Sequence, residues 1–426
     1  MIRILQLSDI HWKDKLTALD PFQHIREGLI DDVQRGMKQH GIKYDCIMIC
    51  GDIAFSGGKQ EYEKAKKFIN ELLLVTGLKD ENVFIVPGNH DKDWFAHPQK
   101  IREFINRHIG EENEHDETLA GWLRNSLHTA AILYTPYKEY AMFAKDYGCA
   151  EPLMFRLNLN KETVNSDVKY SESDDLLYWT DELAVINGYT IQLYGLNSGL
   201  YSDKYDYDTT EGRKNGHKMI LPKLAYNAAK IQDGVVNILM MHHPMPYMHE
   251  EDKLKAELDK LYHVQVFGHV HISKSDNAGN RIHVFSGALQ PDEMNLEKEY
   301  RPIYNIMEID IEQGVTEDLL TMTLQERYWN GTVFTEYREE QHYNVKLPKY
   351  KWKGTGMVNK TNLPEGVTKH AVRVKLINNG RAKDIINKLA PGFYDVSISQ
   401  YYNVMRFLEK VRQDGTWCEL WSEMAN

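Results

Sequence analysis

Residues 83–91 read VFIVPGNHD, an apolar run of strand length that ends in the polar sequence Gly-Asn-His-Asp. Two earlier stretches have the same form, because residues 2–9 (IRILQLSD) and 46–52 (CIMICGD) are apolar runs that lead into a carboxylate. Between these runs, residues 22–37 and 60–75 have apolar side chains at helical spacing. The order β-α-β-α-β builds a parallel sheet through right-handed crossovers. The chain is therefore predicted to begin as an α/β domain.

The sheet pattern is interrupted once and then resumes. Residues 94–175 favour long helices, notably over 101–108 and 119–147, and are predicted to form a helical insertion. Further strands are predicted over residues 190–195, 235–241, 264–267, 281–285, 304–309 and 319–324. We predict that residues 1–328 form one domain and that residues 329–426 form a linker and a small C-terminal α/β accessory domain. Residues 329–366 are predicted to be an extended linker or irregular strands, and the accessory domain follows them. Its strands are predicted at residues 371–376 and 394–398.

The amino-acid composition argues against several classes of protein. Lys and Arg number 51 against 62 Asp and Glu, and the resulting net charge of −11 argues against a dedicated nucleic-acid coat protein. The four cysteines lack zinc-ribbon spacing and are too few for a disulfide framework. No apolar stretch approaches the roughly 18–20 residues that span a bilayer, and the first strand is too short for the apolar core of a signal peptide. We therefore expect a cytoplasmic protein without a membrane partner.

Polar side chains follow five predicted strands directly. They are Asp9 and His11, Asp52, Asn89 and His90, His242, and His269 and His271. In open α/β sheets ligands bind outside the carboxyl ends of strands, so we expect these side chains to meet at one rim. In Asp-x-His and His-x-His the flanking side chains of an extended segment point the same way, and the preceding glycines permit sharp turns. Carboxylate, amide and imidazole donors suit Mn²⁺, Fe or Zn²⁺, so the set predicts a dinuclear metal site.

At these residues the sequence resembles the calcineurin-like metallophosphoesterase superfamily. The shared ordered pattern is Asp9-x-His11, Gly51-Asp52, Gly88-Asn89-His90-Asp91, a later His242, and Gly268-His269-x-His271. The resemblance covers residues 1–325 outside the insertion and implies a four-layer α/β sandwich with two central mixed β-sheets. It implies two divalent ions, Mn²⁺ foremost, with Fe or Zn²⁺ as alternatives. One ion would be held by Asp9, His11, Asp52 and His271, and the other by Asp52, Asn89, His242 and His269.

The resemblance also implies roles for residues around the ligands. His90 would be a general acid or a phosphate contact, and Asp91 would orient or charge-couple its imidazole. Many relatives carry a polar residue where this chain has Phe55, so the support around the ligands must differ here. His243 is predicted to be a non-ligand, because adjacent strand residues alternate in direction. Trp12 is left open between stacking on a base and packing at the rim.

We predict a metal-dependent phosphodiesterase that acts on a nucleotide-type substrate, nucleic acid or cyclic nucleotide, by two-metal activation of hydroxide. A phosphomonoesterase or protein phosphatase remains an alternative, because the same ligands serve both classes. The other alternative is a non-catalytic scaffold of the same fold that recruits a protein partner through residues 330–426. All seven predicted ligands and His90 are present, which disfavours the scaffold.

Overall fold

A computed structural model of the protein describes residues 1–13, 20–101, 127–151, 154, 177–202, 219–290, 301–349, 363–364 and 367–425. Most of the helix predicted over 101–108 lies outside these ranges, as do large parts of the predicted insertion. Within the described ranges, no helix combines the length and apolar character that crossing a bilayer requires.

The N-terminal part folds in the predicted order. The elements are β1 (Ile2–Leu7), α1 (Gln23–His40), β2 (Cys46–Cys50), α2 (Lys59–Thr76) and β3 (Val83–Val86). Strands β1, β2 and β3 pair in parallel, and all residues of β2 and β3 are buried. This burial on both faces explains their continuous apolar runs. The prediction of β-α-β-α-β is confirmed.

Two described helices belong to the predicted insertion, α3 (Leu127–Tyr134) and α4 (Lys138–Ala144). Helix α4 packs on α2, where the rings of Phe143 and Tyr62 stack with centroids 5.0 Å apart. These helices confirm part of the prediction for residues 119–147.

The second sheet has six strands in the order β4-β5-β6-β7-β9-β8. They are β4 (Tyr178–Ile186), β5 (Tyr189–Leu196), β6 (Val235–Met240), β7 (Val264–Phe267), β8 (Lys274–Ala278) and β9 (Arg281–Phe285). Strands β5, β6, β7 and β9 are parallel, as predicted for a sheet that binds ligands at its carboxyl ends. Helix α5 (Lys223–Tyr226) lies between β5 and β6 in the chain, and α6 (Glu251–Leu261) precedes β7.

The first sheet is completed by strands from beyond residue 300. These are β10 (Ile303–Glu312), β11 (Asp318–Trp329), β12 (Phe334–Glu336) and β13 (Gln341–Leu347). Strand β10 pairs antiparallel with β1, and β11 pairs with β10. Strands β12 and β13 both pair with β11, so a boundary at residue 328 would cut through the sheet. Of the two alternatives for residues 329–366, the extended linker is therefore wrong for residues 334–336 and 341–347, which form two partly exposed strands of the sheet.

The C-terminal region is helical in its described part. It contains α7 (Lys369–Ile377), α8 (Ala382–Leu389), α9 (Gln400–Asp414) and α10 (Trp417–Ala425). The strand predicted at 371–376 is helix α7, whose first turn is capped by Thr368 accepting the Ala371 N–H at 3.0 Å. The strand predicted at 394–398 is a turn region. The predicted α/β accessory domain is thus wrong in its strands, whereas the molecule as a whole is the predicted α/β sandwich of two mixed sheets.

Candidate metal centre

The predicted ligands lie on tight turns that follow the strands. Asp9, His11, Asp52, His269 and His271 all have backbone φ angles between 49° and 72°. This left-handed region is unfavourable for residues with a side chain, and such strain is concentrated at functional sites. The expected extended geometry of the Asp-x-His and His-x-His pairs is therefore wrong. The side chains converge because each chain segment turns sharply at the strand end.

Two glycines make room for these turns in different ways. Gly51 has φ +85°, a conformation that only glycine adopts readily. Gly88 has no such φ, but a Cβ at this position would collide with the carboxylate and the backbone N of Asp52. The glycine before Asn89 is thus required for close approach and not for a special turn.

Each of the two buried carboxylates has one oxygen held by hydrogen bonds and one facing the imidazoles. Asp9 Oδ2 accepts from Ser8 Oγ at 2.5 Å and from the His269 N–H at 3.2 Å. Asp9 Oδ1 lies 3.1 Å from His271 Nε2. Asp52 Oδ1 accepts the His90 N–H at 2.8 Å, and its Oδ2 lies 3.1 Å from His242 Nε2. The protein fixes the rotation of both carboxyl groups and directs one oxygen of each to a common centre.

Imidazole nitrogens surround this centre. His11 Nε2 lies 3.3 Å from His271 Nε2, 3.9 Å from Asp9 Oδ1 and 4.0 Å from Asp52 Oδ2. His242 Nδ1 donates to the Cys50 carbonyl at 2.7 Å, so the Nε2 lone pair of the neutral ring is left for a ligand. Hydrogen bonds of this kind orient metal-binding histidines.

The donor atoms form overlapping groups in which all members lie within 4.8 Å of one another. The groups are Asp9, His11 and His271; Asp9, Asp52 and His242; His11, Asp52 and His90; and His242, His243 and His269. Four residues each belong to two of the groups, so the groups join into one cluster: Asp9, His11, Asp52 and His242. The structure thus brings all seven predicted ligands and His90 to one rim. Asn89 contacts this cluster through its hydrogen bond with His243.

Burial and neighbouring charges set the protonation of these groups. Burial opposes ionisation of Asp9, but the His271 and His242 imidazoles lower its pKa to about 2. Burial likewise opposes ionisation of Asp52, yet His242 and His90 hold its pKa well below the ordinary value. Burial lowers the pKa of His242, but Asp52 and Asp9 raise it to about 9. The metal-free centre therefore carries two carboxylates whose negative charge is partly offset by a proton on His242, and a bound cation must displace that proton.

The residues fit divalent metal ions. In the described part of the chain, Asp9 Oδ1 and His242 Nε2 are buried and make no hydrogen bond of acceptable geometry, although they face each other at 4.0 Å. Buried polar atoms that converge without bonding one another leave space for a cation, which can bind the Nε2 lone pair of His242 once the ring has lost its second proton. The oxygen and nitrogen donors, without a cysteine thiolate, match borderline and hard divalent metals.

His90 is oriented by a main-chain atom and not by Asp91. Its Nδ1 donates to the Phe55 carbonyl at 2.8 Å, and its ring stacks on the Phe55 ring with centroids 5.1 Å apart. Asp91 instead accepts the N–H groups of Gly88 at 2.9 Å and Ala54 at 2.9 Å. Asp91 also accepts the Ile53 N–H and the Tyr62 hydroxyl. The predicted Asp91–His90 coupling is therefore wrong, because the Asp91 carboxylate ties the turn after β2 to the turn after β3.

Three further residues at the centre were not predicted. Ser8 holds Asp9, and Ser198, which follows β5, lies 3.0 Å from His243 Nδ1. The Tyr247 ring meets the His269 ring edge-on with centroids 4.3 Å apart. Ser198 was accessible to prediction, because it follows a predicted parallel strand just as the ligands do. Trp12 is only 7% exposed and its ring is covered by the Arg26 guanidinium, which supports packing at the rim over base stacking.

The model of the calcineurin-like phosphoesterase family matches residues 2–273, which is more than half of the chain. The chain belongs to the calcineurin-like phosphoesterase family. The match begins in β1 and ends after the Gly-His-x-His turn, so it spans every predicted ligand. Membership of this family supports a metal-dependent phosphoester hydrolase.

The chain is similar, at low sequence identity, to individual relatives and solved structures. An uncharacterized metallophosphoesterase-like protein of Bacillus subtilis, YydB, is 24% identical over 346 residues, or 77% of this chain. The chain spans 61% of the length of that relative. A purple acid phosphatase from yellow lupin seeds has 12% identity and a TM-score of 0.39, covering 82% of this chain and 54% of its own. Vps29 of Entamoeba histolytica, complexed with Zn²⁺, has 10% identity and a TM-score of 0.31, covering 81% and 99%.

Proposed function

We propose that this phosphoesterase is a phosphodiesterase for nucleotide-type substrates that works with two divalent ions, Mn²⁺ foremost. The observation that carries the proposal is the pair of buried carboxylates, Asp9 and Asp52. In each, hydrogen bonds hold one oxygen, and the other oxygen faces the same cluster of imidazole side chains. Asp9, His11, Asp52 and His271 would hold one ion, and Asp52, Asn89, His242 and His269 the other. Ions bound there supply Lewis-acid charge and a water of lowered pKa.

The choice of a diester rests on the cationic side chains beside the centre. Lys92 Nζ donates to the carbonyls of Leu200 and Ser202 at 3.0 and 2.7 Å. Arg26 is bonded to Asp20 and Gln290 and lies over the Trp12 ring. Lys13 Nζ lies over the Phe55 ring, 4.2 Å from its centroid, and contributes one positive charge near His90. Because Lys92 and Arg26 are committed to internal partners, the charge of the phosphate falls mainly on the metal centre. A diester, with one negative charge, needs less compensation than a monoester with two.

His90 is proposed to assist the leaving oxygen. Because Nδ1 donates to the acceptor-only Phe55 carbonyl, any proton that His90 delivers to substrate must come from Nε2 of the imidazolium. Phe55 stacking holds the ring in this orientation. The Phe55 carbonyl thus fixes the ring orientation and leaves Nε2 as the nitrogen through which His90 exchanges a proton with substrate.

Hydrolysis by the purified chain with Mn²⁺ tests the proposed reaction. Paired aryl phosphodiester and phosphomonoester substrates are compared, followed by single- and double-stranded DNA, RNA and cyclic nucleotides. We expect diester cleavage to exceed monoester cleavage and to be lost in Asp52→Asn, while the exposed control Asp233→Asn keeps it. A monoester preference would make the chain a phosphatase, and Mn²⁺ binding without hydrolysis of any substrate would favour the scaffold.

A leaving-group series tests the role of His90. His90→Ala is expected to lower turnover of diesters with poor leaving groups by about 10²- to 10⁴-fold, and to do so far less when the leaving group needs no proton. Mn²⁺ content should be unchanged, and the exposed control His40→Ala should behave as wild type. An equal loss for all leaving groups would assign His90 to phosphate binding instead.

The expected binding of a protein partner through residues 330–426 stays a proposal. Within the described part of that region, the buried side chains of α7 and α9 pack against other parts of the same chain. For example, the Tyr401 hydroxyl donates to the Ala150 carbonyl at 2.7 Å. A partner would therefore bind the outer faces of these helices.

A further inference from the structure

A buried line of three polar side chains joins the second sheet to Asn89. His243 Nδ1 lies 3.0 Å from Ser198 Oγ, and His243 Nε2 lies 2.8 Å from Asn89 Oδ1. Ser198 and His243 are 0% exposed and Asn89 is 1% exposed. Because the three side chains are buried together, their mutual hydrogen bonds decide which way each of them faces.

The Asn89 amide is not satisfied with its oxygen toward His243. Among the described residues, its Nδ2 is buried and has no hydrogen-bond partner. A buried donor without an acceptor destabilises the folded state. The oxygen and nitrogen of an amide are nearly equal in shape, so a half-turn exchanges them without disturbing the packing. After this exchange Nδ2 faces His243 Nε2, and Oδ1, the amide atom that binds cations, is released for a ligand.

We propose that His243 is a positioning residue that selects this orientation of Asn89. Its Nε2 accepts a hydrogen bond from Asn89 Nδ2, and its Nδ1–H is donated to Ser198 Oγ. The inference rests on the proposed function, because it concerns how Asn89 presents an oxygen to one of the two ions.

Each N–H group of His243 has an acceptor in this network. A neutral imidazole carries a single N–H, which Ser198 Oγ accepts. The same oxygen accepts the main-chain N–H of His243 at 2.9 Å, so its two lone pairs are both used. Both ring nitrogens of His243 are then engaged with protein atoms. This agrees with the prediction that His243 is not a ligand, although the ring stands within 4.8 Å of donor atoms of His242 and His269.

A double-mutant cycle on the full chain separates positioning from ligation. Binding of Mn²⁺ alone is measured by calorimetry for wild type, His243→Leu, Asn89→Asp and the double variant. In the wild-type background, His243→Leu is expected to weaken one of the two ions by about 10- to 100-fold. An aspartate offers the ion an oxygen in either orientation. In the Asn89→Asp background, His243→Leu should therefore change the affinity by no more than about twofold.

Two results would overturn the proposal. An equal loss of affinity in both backgrounds would make His243 a ligand or a packing residue, and unchanged affinity in His243→Leu would leave it without a role. Wild-type protein that binds no Mn²⁺ would instead overturn the proposed function itself. The failures of the two proposals are thus distinguishable.

Two milder variants keep the test valid if His243→Leu does not fold. Glutamine can accept from Asn89 whereas leucine cannot, so His243→Gln should restore most of the Mn²⁺ affinity. Ser198→Ala removes the partner of Nδ1 without changing residue 243 and should weaken the same ion by several-fold. Thermal unfolding of each metal-free variant reports on folding separately. Normal affinity in Ser198→Ala, or a loss in His243→Gln as large as in the leucine variant, would contradict the positioning role.

Discussion

Gly88 has no room for a side chain, because the Asp52 carboxylate occupies the place of its Cβ. A methyl group there must displace either the proposed bridging carboxylate or the turn that carries Asn89. The close packing at Gly88 thus couples the position of the Asp52 carboxylate to that of the turn that carries Asn89.

Gly88→Ala is expected to weaken Mn²⁺ binding at least about tenfold and to cost about 1–3 kcal/mol of stability, the usual effect of overpacking a buried site. Gly380→Ala is the matched control, since its Cβ would meet no atom within 4 Å. Calorimetric Mn²⁺ titration and urea unfolding of both variants check this. A Gly88→Ala protein with wild-type Mn²⁺ affinity would show that Asp52 can move without loss.

At the scale of single residues, the sequence predicts which side chains form the metal centre but not which main-chain atoms orient them. The ligands are visible because each is a carboxylate, amide or imidazole directly after an apolar strand. The carbonyls of Phe55 and Cys50, which fix the tautomers of His90 and His242, leave no mark on the identity of the residue that carries them. For the same reason Asp91 was assigned to His90, although its actual partners are mainly backbone N–H groups.

Strands buried on both faces were predicted accurately, and half-exposed edge strands were not. Strand β4 contains charged residues and was missed, yet Asn187 and Gly188 after it have φ angles of 49° and 86° and form a tight hairpin to β5. An Asn-Gly pair between strands is a strong hairpin signal and was available in the sequence. Helix α7 was mistaken for a strand because Val372, Val374 and Leu376 alternate, while Thr368 supplies a helix cap.

An ion-pair cluster joins α6, β8 and β9. His283 on β9 lies 2.9 Å from Asp259 and 2.7 Å from Asp276. Burial lowers the pKa of His283, but the hydrogen bonds to Asp259 and Asp276 outweigh burial and raise it above the ordinary value. A folded-state pKa above the unfolded one gives stability that is complete below about pH 6.5 and is lost as the pH rises through the folded pKa.

His283→Gln should remove this pH-dependent stability. We expect the variant to be less stable than wild type by about 1–3 kcal/mol at pH 6 and closer to wild type at pH 9. Urea unfolding at the two pH values measures the difference, with the exposed His40→Gln as control. A difference of the same size at both pH values would mean that His283 is not charged in the folded protein.

The C-terminal helices are attached to the second sheet at the far edge from β8. Asp181 on β4 is 4% exposed and binds His370 Nδ1 at 2.7 Å and Arg373 Nη1 at 2.9 Å. Neither partner was visible in the sequence, because a contact between residues 181 and 370 depends on the arrangement of both regions. None of these three residues is a predicted metal ligand. We therefore expect the Asp181 contacts to contribute to stability and not to metal binding.

Asp181→Asn leaves Arg373 without its buried counter-charge and should lower the free energy of unfolding by about 3–5 kcal/mol. Glu182→Gln, next in sequence, is the control and should cost less than about 1 kcal/mol, because Glu182 is a partly exposed partner of Lys369. The Mn²⁺ stoichiometry of the folded Asp181→Asn protein should equal that of wild type. A loss of Mn²⁺ in this variant would make the C-terminal helices part of the metal centre.

Anomalous diffraction from crystals of the whole protein grown with Mn²⁺ tests the central claim most directly. Two anomalous peaks about 3.5–4 Å apart are expected, the usual spacing for two-metal phosphoryl chemistry. Asp52 should contact both, with Asp9, His11 and His271 around one peak and with Asn89, His242 and His269 around the other. A single peak, or two peaks that Asp52 does not join, would contradict the account.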